Sequence, residues 1–260
     1  ESTVTGVVTI GVPNGGVSAQ GNLISGNGND GIRISGSSNH IVAGNWIGTN
    51  VDVDQMIPNG QNGVHILDAS NIRIGMDGNG VTDALERNVI NGNAQAGVFI
   101  EGATSQNNRI SRNSFYANGQ LAIDLSPAGL TANDGMDLDS GPNGLQNHPV
   151  LRTAFFPSPG QVRVLGDFNS TPSSYFSMQF YASLQADPNG FGEGEIFLQE
   201  INLLTDASGT AYFDVLIPIN LGPLYKYFSA IAIAENLNTS EFGPTVEAIT
   251  FPIYLPLIQR

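Results

Sequence analysis

Short apolar pairs and triplets, set apart by asparagine and glycine, run through the first half of the chain. Four of them open on asparagine: Asn22-Leu-Ile, Asn45-Trp-Ile, Asn88-Val-Ile and Asn113-Ser-Phe. Nine residues after three of these stand Gly31-Ile-Arg-Ile, Gly97-Val-Phe-Ile and Ala122-Ile-Asp-Leu. Gly63-Val-His-Ile follows Asn45 by 18 residues instead, so an insert of nine is expected over 50–58. A third apolar element completes each unit, at Val7-Val-Thr-Ile, His40-Ile-Val, Asn71-Ile-Arg-Ile and Asn108-Arg-Ile. The unit is three short strands and their turns, recurring every 23 to 25 residues where nothing is inserted.

Strands this short cannot bury an apolar face alone, and their alternation turns two residues inward for each one outward. Stacking successive units at about 4.8 Å buries the inward residues in one continuous column. The pattern therefore predicts a parallel β-helix with three or four rungs in residues 1–126. Asn22, Asn45, Asn88 and Asn113 fall at one turn position, where amides of adjacent rungs can bond into a ladder. The second half changes character. Val162 to Phe168, Tyr175 to Leu184, Glu195 to Leu204, Ala211 to Ile217 and Tyr227 to Ala234 are alternating or apolar runs of regular spacing, which predicts a β-sandwich. Pro157 and Pro159 mark a linker between the halves, near residues 153–160.

Composition narrows the function classes. Among 260 residues there are 32 Gly and 14 Pro, with 12% charged and 40% hydrophobic, which suits a turn-rich all-β protein with a packed core. The net charge of −14 arises from only nine basic residues spread along the chain, so no basic patch for nucleic acid is expected. Without cysteine there is neither a disulfide framework nor a thiolate metal site. No apolar run reaches the length of a membrane span.

Candidate chemistry lies in three places. The outward residues of the Gly-x-x-Ile strands form a column of Arg33, His65, Phe99 and Asp124, where an aromatic face between charged groups suits a glycan. A polysaccharide lyase or glycoside hydrolase is the competing reading. Arg33 and Asp124 stand about 14 Å apart across the stack, too far for a carboxylate-and-base pair, and only Glu101 lies near Asp124, so no catalytic residue is expected. The acidic loop Asn133 to Asn143 offers Asp134, Asp137, Asp139 and Asn143, closely spaced oxygen ligands that suit a structural Ca²⁺. Finally, the tail TFPIYLPLIQR alternates Phe251, Ile253, Leu255 and Leu257 on one side of an extended strand, a surface for assembly with another copy.

These stretches also carry a resemblance. The NVISGN-like and GIRI-like repeats, the Ile123-Asp-Leu segment and the run TANDGMDLDSGPNGLQNHPVL at 131–151 resemble a family of secreted bacterial right-handed β-helix surface proteins. That family commonly continues into an immunoglobulin-like sandwich, matched here by DPNGFGEG at 187–194, TDASG at 205–209 and NTSEF at 238–242. The YLPL ending is similar to that of surface proteins of filamentous green non-sulfur bacteria. The resemblance implies an all-β protein: a right-handed parallel β-helix over 1–153 with a capping loop at 127–153, an immunoglobulin-like β-sandwich over 154–249 and an apolar tail at 250–260. It implies a secreted, extracellular or cell-surface location and a structural, self-assembling or adhesive role. Partners would be further copies of the chain, head to tail, or extracellular polysaccharide.

Overall fold

The computed structural model describes residues 7–11, 21–222 and 224–250. The first half runs as β1 (Thr9–Gly11), β2 (Leu23–Ile24), β3 (Ile32–Ser35), β4 (Ile41–Ala43), β5 (Trp46–Ile47) and β6 (Val64–Leu67). It continues as β7 (Arg73–Gly75), β8 (Val89–Asn91), β9 (Val98–Glu101), β10 (Arg109–Ser111), β11 (Ser114–Tyr116) and β12 (Ile123–Leu125). These strands are dealt in rotation onto three sheets, ordered β1-β4-β7-β10, β11-β8-β5-β2 and β12-β9-β6-β3, and every pairing is parallel. Stacked parallel sheets visited in that order are the arrangement of a β-helix. The inward residues meet like with like: Ile34, Ile66, Ile100 and Leu125 in one column, and Ile47, Ile90 and Phe115 in another. From the second rung on, these side chains are almost wholly buried.

The asparagine ladder holds the corner between the first two sheets. The Nδ2 of Asn22, Asn45 and Asn88 each donates to Oδ1 of the next rung's asparagine, at 3.0, 3.0 and 2.9 Å, ending on Asn113. A second ladder runs beside it through Asn27, Asn59, Asn93 and Asn118, at 2.8, 2.8 and 2.9 Å. At Gly75 the turn requires glycine, although Ala43 and Ser111 fill the same position in the second and fourth rungs. Gly75 has φ 93°, and a Cβ there would stand 2.3 Å from the Ser111 carbonyl oxygen and 2.5 Å from Asn113 Oδ1. Asn88 Oδ1 also accepts from the Asn45 backbone N–H, while its Nδ2 donates to the Val42 carbonyl. Replacing Asn88 by alanine is therefore expected to lower stability by roughly 1–3 kcal/mol, since buried partners lose their mates; urea unfolding checks the figure.

Two inserts interrupt the repeat within the described residues. The one expected over 50–58 is present, closed by the antiparallel bridge between Thr49 and Met56. The other was not expected. Four residues separate Ile41 from Asn45 and Arg109 from Asn113, but fifteen separate Arg73 from Asn88. The surplus forms a loop over 76–86 that ends in the single helical turn α1 (Asp83–Glu86).

The second half holds β13 (Val150–Ser158), β14 (Gln161–Asn169), β15 (Tyr175–Ser183), β16 (Ile196–Leu204), β17 (Thr210–Pro218), β18 (Tyr227–Ala234), β19 (Val246–Glu247) and β20 (Ile249–Thr250). They form two four-stranded sheets, ordered β17-β14-β13-β20 and β16-β15-β18-β19, which share a core that includes Val164, Phe168, Phe180, Phe213 and Phe228. The stretch 153–160, read above as a linker, is the far half of β13 and its turn into β14. Pro157 is accommodated where the β13–β14 register slips, between Phe155 and Ser158, because proline has no N–H to give a ladder.

The halves are not strung apart. Tyr181, Ile231 and Phe242 of the sandwich belong to the same apolar cluster as Ile110, Phe115 and Ile123 of the last rung. The cap expected from the loop at 127–153 is thus largely supplied by the sandwich. The loop covers the corner at Asn108, where the 3₁₀ turn Pro142–Leu145 sets Asn143 on it. Phe251, Ile253, Leu255 and Leu257 lie outside the described residues. The chain approaches them from β20, which pairs in parallel with Phe155 and Phe156 of β13.

Candidate functional site

The third sheet places the predicted outward column in register, Arg33 opposite His65, His65 opposite Phe99 and Phe99 opposite Asp124. What surrounds these side chains differs from one end to the other. The Arg33 side chain is 54% exposed and its Nη1 lies 3.8 Å from Asp30 Oδ2. His65 is held at both ring nitrogens, with Nδ1 3.0 Å from Asp30 Oδ2 and Nε2 3.2 Å from Glu101 Oε2. The Phe99 ring stands against the imidazole, centroids 5.3 Å apart at 48°. The result is a face on which a guanidinium, a carboxylate and an aromatic ring reach solvent around an immobilised histidine. Asp30 was not singled out from sequence. Its signal is the Asn-Asp-Gly turn just before β3, whose aspartate also accepts from Asn62 Nδ2 at 2.9 Å.

Asp124 does not take part. It is fully buried beneath the chain at 126–129, and both its oxygens accept from the Gly129 N–H at 3.2 Å. Burial raises its pKa, partly offset by that N–H. The alternation that turned Asp124 outward was sound, but the segment after β12 folds back over it.

In the acidic loop, one carboxylate oxygen from each of Asp134, Asp137 and Asp139 lies within 4.8 Å of the others. Asn143 is not with them. It is fully buried, its Oδ1 accepts from the Asn108 N–H and its Nδ2 donates to the carbonyls of Asn108 and Thr239. An amide so engaged is a ladder residue rather than a ligand. The aspartates also hold the loop itself. Asp134 accepts from the N–H groups of Leu138 and Asp139, and Asp137 from the Asn147 N–H, Gln146 Nε2 and Ser170 Oγ. Burial raises the Asp137 pKa, the hydrogen bonds from Ser170 and Asn147 draw it back, and Asp139 and Asp134 raise it further.

A third set of polar groups lies where the sandwich meets the last rung, and sequence reasoning missed it. Glu193 accepts from the N–H groups of Ala117 and Asn118, closing the second ladder. Glu241 accepts from those of Leu125 and Thr131 at 2.8 and 2.7 Å. Thr239 Oγ1 takes the Ile110 N–H, Asn238 Oδ1 that of Asn107, and Tyr181 Oη with Gln179 Oε1 that of Arg112. Every one of these acceptors meets a rung N–H that the next turn of a longer β-helix would have taken. Two of the motifs that carried the resemblance, 187–194 and 238–242, are thus the pieces that grip the helix. Beside this junction opens a cleft of about 430 Å³ whose walls include Arg109, Tyr175, Asn202 and Glu235.

No family model matches the sequence, and no curated protein matches it. Among solved structures the chain is similar to the full-length tailspike protein 2 of the Escherichia coli O157:H7 bacteriophage CAB120, at 12% identity and a TM-score of 0.13. The alignment covers 90% of this chain and 45% of the tailspike, so this chain spans less than half of that protein's length. Likeness at that score carries no argument about what this chain does. Among the described residues no helix is long and apolar enough to cross a membrane.

Proposed function

We propose that the chain is an extracellular structural or adhesive module, secreted and non-catalytic, whose β-helix presents the Arg33–His65–Phe99 face to polysaccharide. The observation that carries this reading is the register of the third sheet. It sets a guanidinium, an imidazole and an aromatic ring on successive rungs of a rigid scaffold, with Asp30 and Glu101 between them. Aromatic faces beside fixed hydrogen-bonding groups suit a sugar ring. The non-catalytic part is supported by the position of His65. A glycosidase needs open space between its two carboxyl groups for the scissile bond, and here the imidazole fills the space between Asp30 and Glu101. The division of strands between the two sheets, β13, β14, β17 and β20 in one and β15, β16, β18 and β19 in the other, supports the immunoglobulin-like description of the sandwich.

Titration of the full chain with acidic and neutral extracellular polysaccharides tests the reading. Binding is expected to weaken about tenfold or more in Phe99→Ala and in Arg33→Ala, with melting temperature unchanged and no new reducing ends released. Binding that survives both substitutions removes the face from consideration, and turnover removes the non-catalytic assignment.

A further inference from the structure

The insert at 76–86 is absent between Ile41 and Asn45 and between Arg109 and Asn113, and it gathers three carboxylates. Oxygens of Asp77, Asp83 and Glu86 lie within 4.8 Å of one another. Side-chain exposure is 18% for Asp77, 20% for Asp83 and 0% for Glu86. One oxygen of Glu86 is well served. Oε2 accepts from Arg73 Nη1 at 2.8 Å and from the Asp77 N–H at 2.9 Å. The other oxygen, Oε1, is buried and has no hydrogen-bond partner among the described residues, and neither has the buried Thr82 Oγ1 in the same loop. A buried carboxylate oxygen without a donor is rare and costly.

We propose that this insert is a calcium site, with Glu86 Oε1 as its innermost ligand. Charge supports it. The three carboxylates are offset in part: Arg73 lies 2.8 Å from Glu86 and 3.7 Å from Asp77, and Arg109 donates to the Asp77 carbonyl rather than to its carboxylate. Arg112 stands farther off, 3.9 Å from Asp83, and is drawn to Glu200 at 3.1 Å. Donor chemistry supports it as well. The three clustered side chains offer only oxygens, which suits a hard cation that takes six to eight of them rather than the softer transition metals. The sequence supplies the spacing, with Asp77, Asn79, Asp83 and Glu86 along a turn bent at Gly78 and Gly80, whose φ angles are 76° and 81°. Asn79 already donates to Asp77 through its backbone N–H and Nδ2, both at 3.0 Å, so the loop is gathered on the acidic side. The ion would tie the insert to Arg73 and Glu86 at the wall of the β-helix.

The test is calorimetric titration of calcium chloride into the chelator-stripped full-length protein, paired with thermal melting. Calcium at about a hundredfold above its Kd is expected to raise the melting temperature by about 5–10 °C. Asp83→Asn should lose one equivalent of bound calcium and that stabilisation, while Asp139→Asn, in the other acidic loop, should keep both. Glu86→Gln should behave as Asp83→Asn does. If it fails to fold because Arg73 and the Asp77 N–H lose their anchor, Asp83→Asn and Asp77→Asn still decide the matter. No calcium uptake by the wild-type chain, or uptake unchanged in Asp83→Asn and Asp77→Asn, overturns the proposal and leaves Glu86 Oε1 to a bound water.

Discussion

Replacing Phe242 by alanine is expected to destabilise both halves of the protein together, by about 3–5 kcal/mol. Phe242 lies in the sandwich, yet its ring meets Tyr181 at 5.1 Å and Phe115 of the last helical rung at 6.1 Å, both edge to face. It is 2% exposed and joins one apolar cluster that runs from the first rung of the β-helix into the sandwich. Removing it opens a cavity at the point where the two cores are continuous, and the rigid strands on either side cannot collapse to fill it. Calorimetry of the wild-type protein should show one transition carrying both halves, and Phe242→Ala should move that transition down by on the order of 10 °C. Two well-separated transitions, with the β-helix component indifferent to the substitution, would contradict a shared core. A repeat structure needs its terminal turn covered, and here a folded domain does the covering.

Stability is expected to fall as pH rises from about 6.5 to 8, against the usual behaviour of paired carboxylates. Burial pushes the Glu241 pKa up from 4.5 to about 8; the N–H groups of Leu125 and Thr131 oppose the shift and nearby Asp124 adds to it. Burial also pushes Glu193 up to about 7, opposed by the N–H groups of Asn118 and Ala117. A carboxyl group whose folded pKa lies above its unfolded value binds more protons in the native state across the interval between them. Its contribution is therefore complete below the unfolded pKa and is lost as pH climbs through the folded one. For Glu241 the whole interval amounts to on the order of 5 kcal/mol, of which about 2 kcal/mol is lost between pH 6.5 and 8. His148 acts in the other direction, since burial lowers its pKa from 6.5, so it costs stability only as pH falls below that value. The decline is thus cleanest above pH 6.5. Urea midpoints at pH 6.5, 8 and 9 measure it. Glu241→Gln keeps an acceptor for the rung and removes the buried charge, so it should flatten the profile and match or exceed wild-type stability at pH 9. A wild-type midpoint that rises from pH 6.5 to 8 would refute the assignment.

The ladder of Asn22, Asn45, Asn88 and Asn113 and the outward register of Arg33, His65 and Phe99 were both legible in the chain. Each depends on repetition, and a side chain stacked on its own counterpart one rung away needs no information beyond the period. The insert at 76–86 was hidden because the repeat resumes intact at Asn88, and a longer loop leaves the period-2 signal of its neighbours unchanged. The fates of Asp124 and Asn143 were also out of reach. Alternation says which way a side chain points, but not that 126–129 will cover the one or that Asn108 will claim the other. Glu193 and Glu241 are the clearest cases. In sequence each is one acidic residue in a turn, and its partners lie 75 to 116 positions away at Asn118, Ala117, Thr131 and Leu125. Only the docking of the sandwich onto the last rung makes them caps, because an unpaired row of N–H groups comes into being only when the coil stops. Periodicity determined the strands, the asparagine column and the outward face; tertiary contact decided where the coil ends and which acids are drawn into its end.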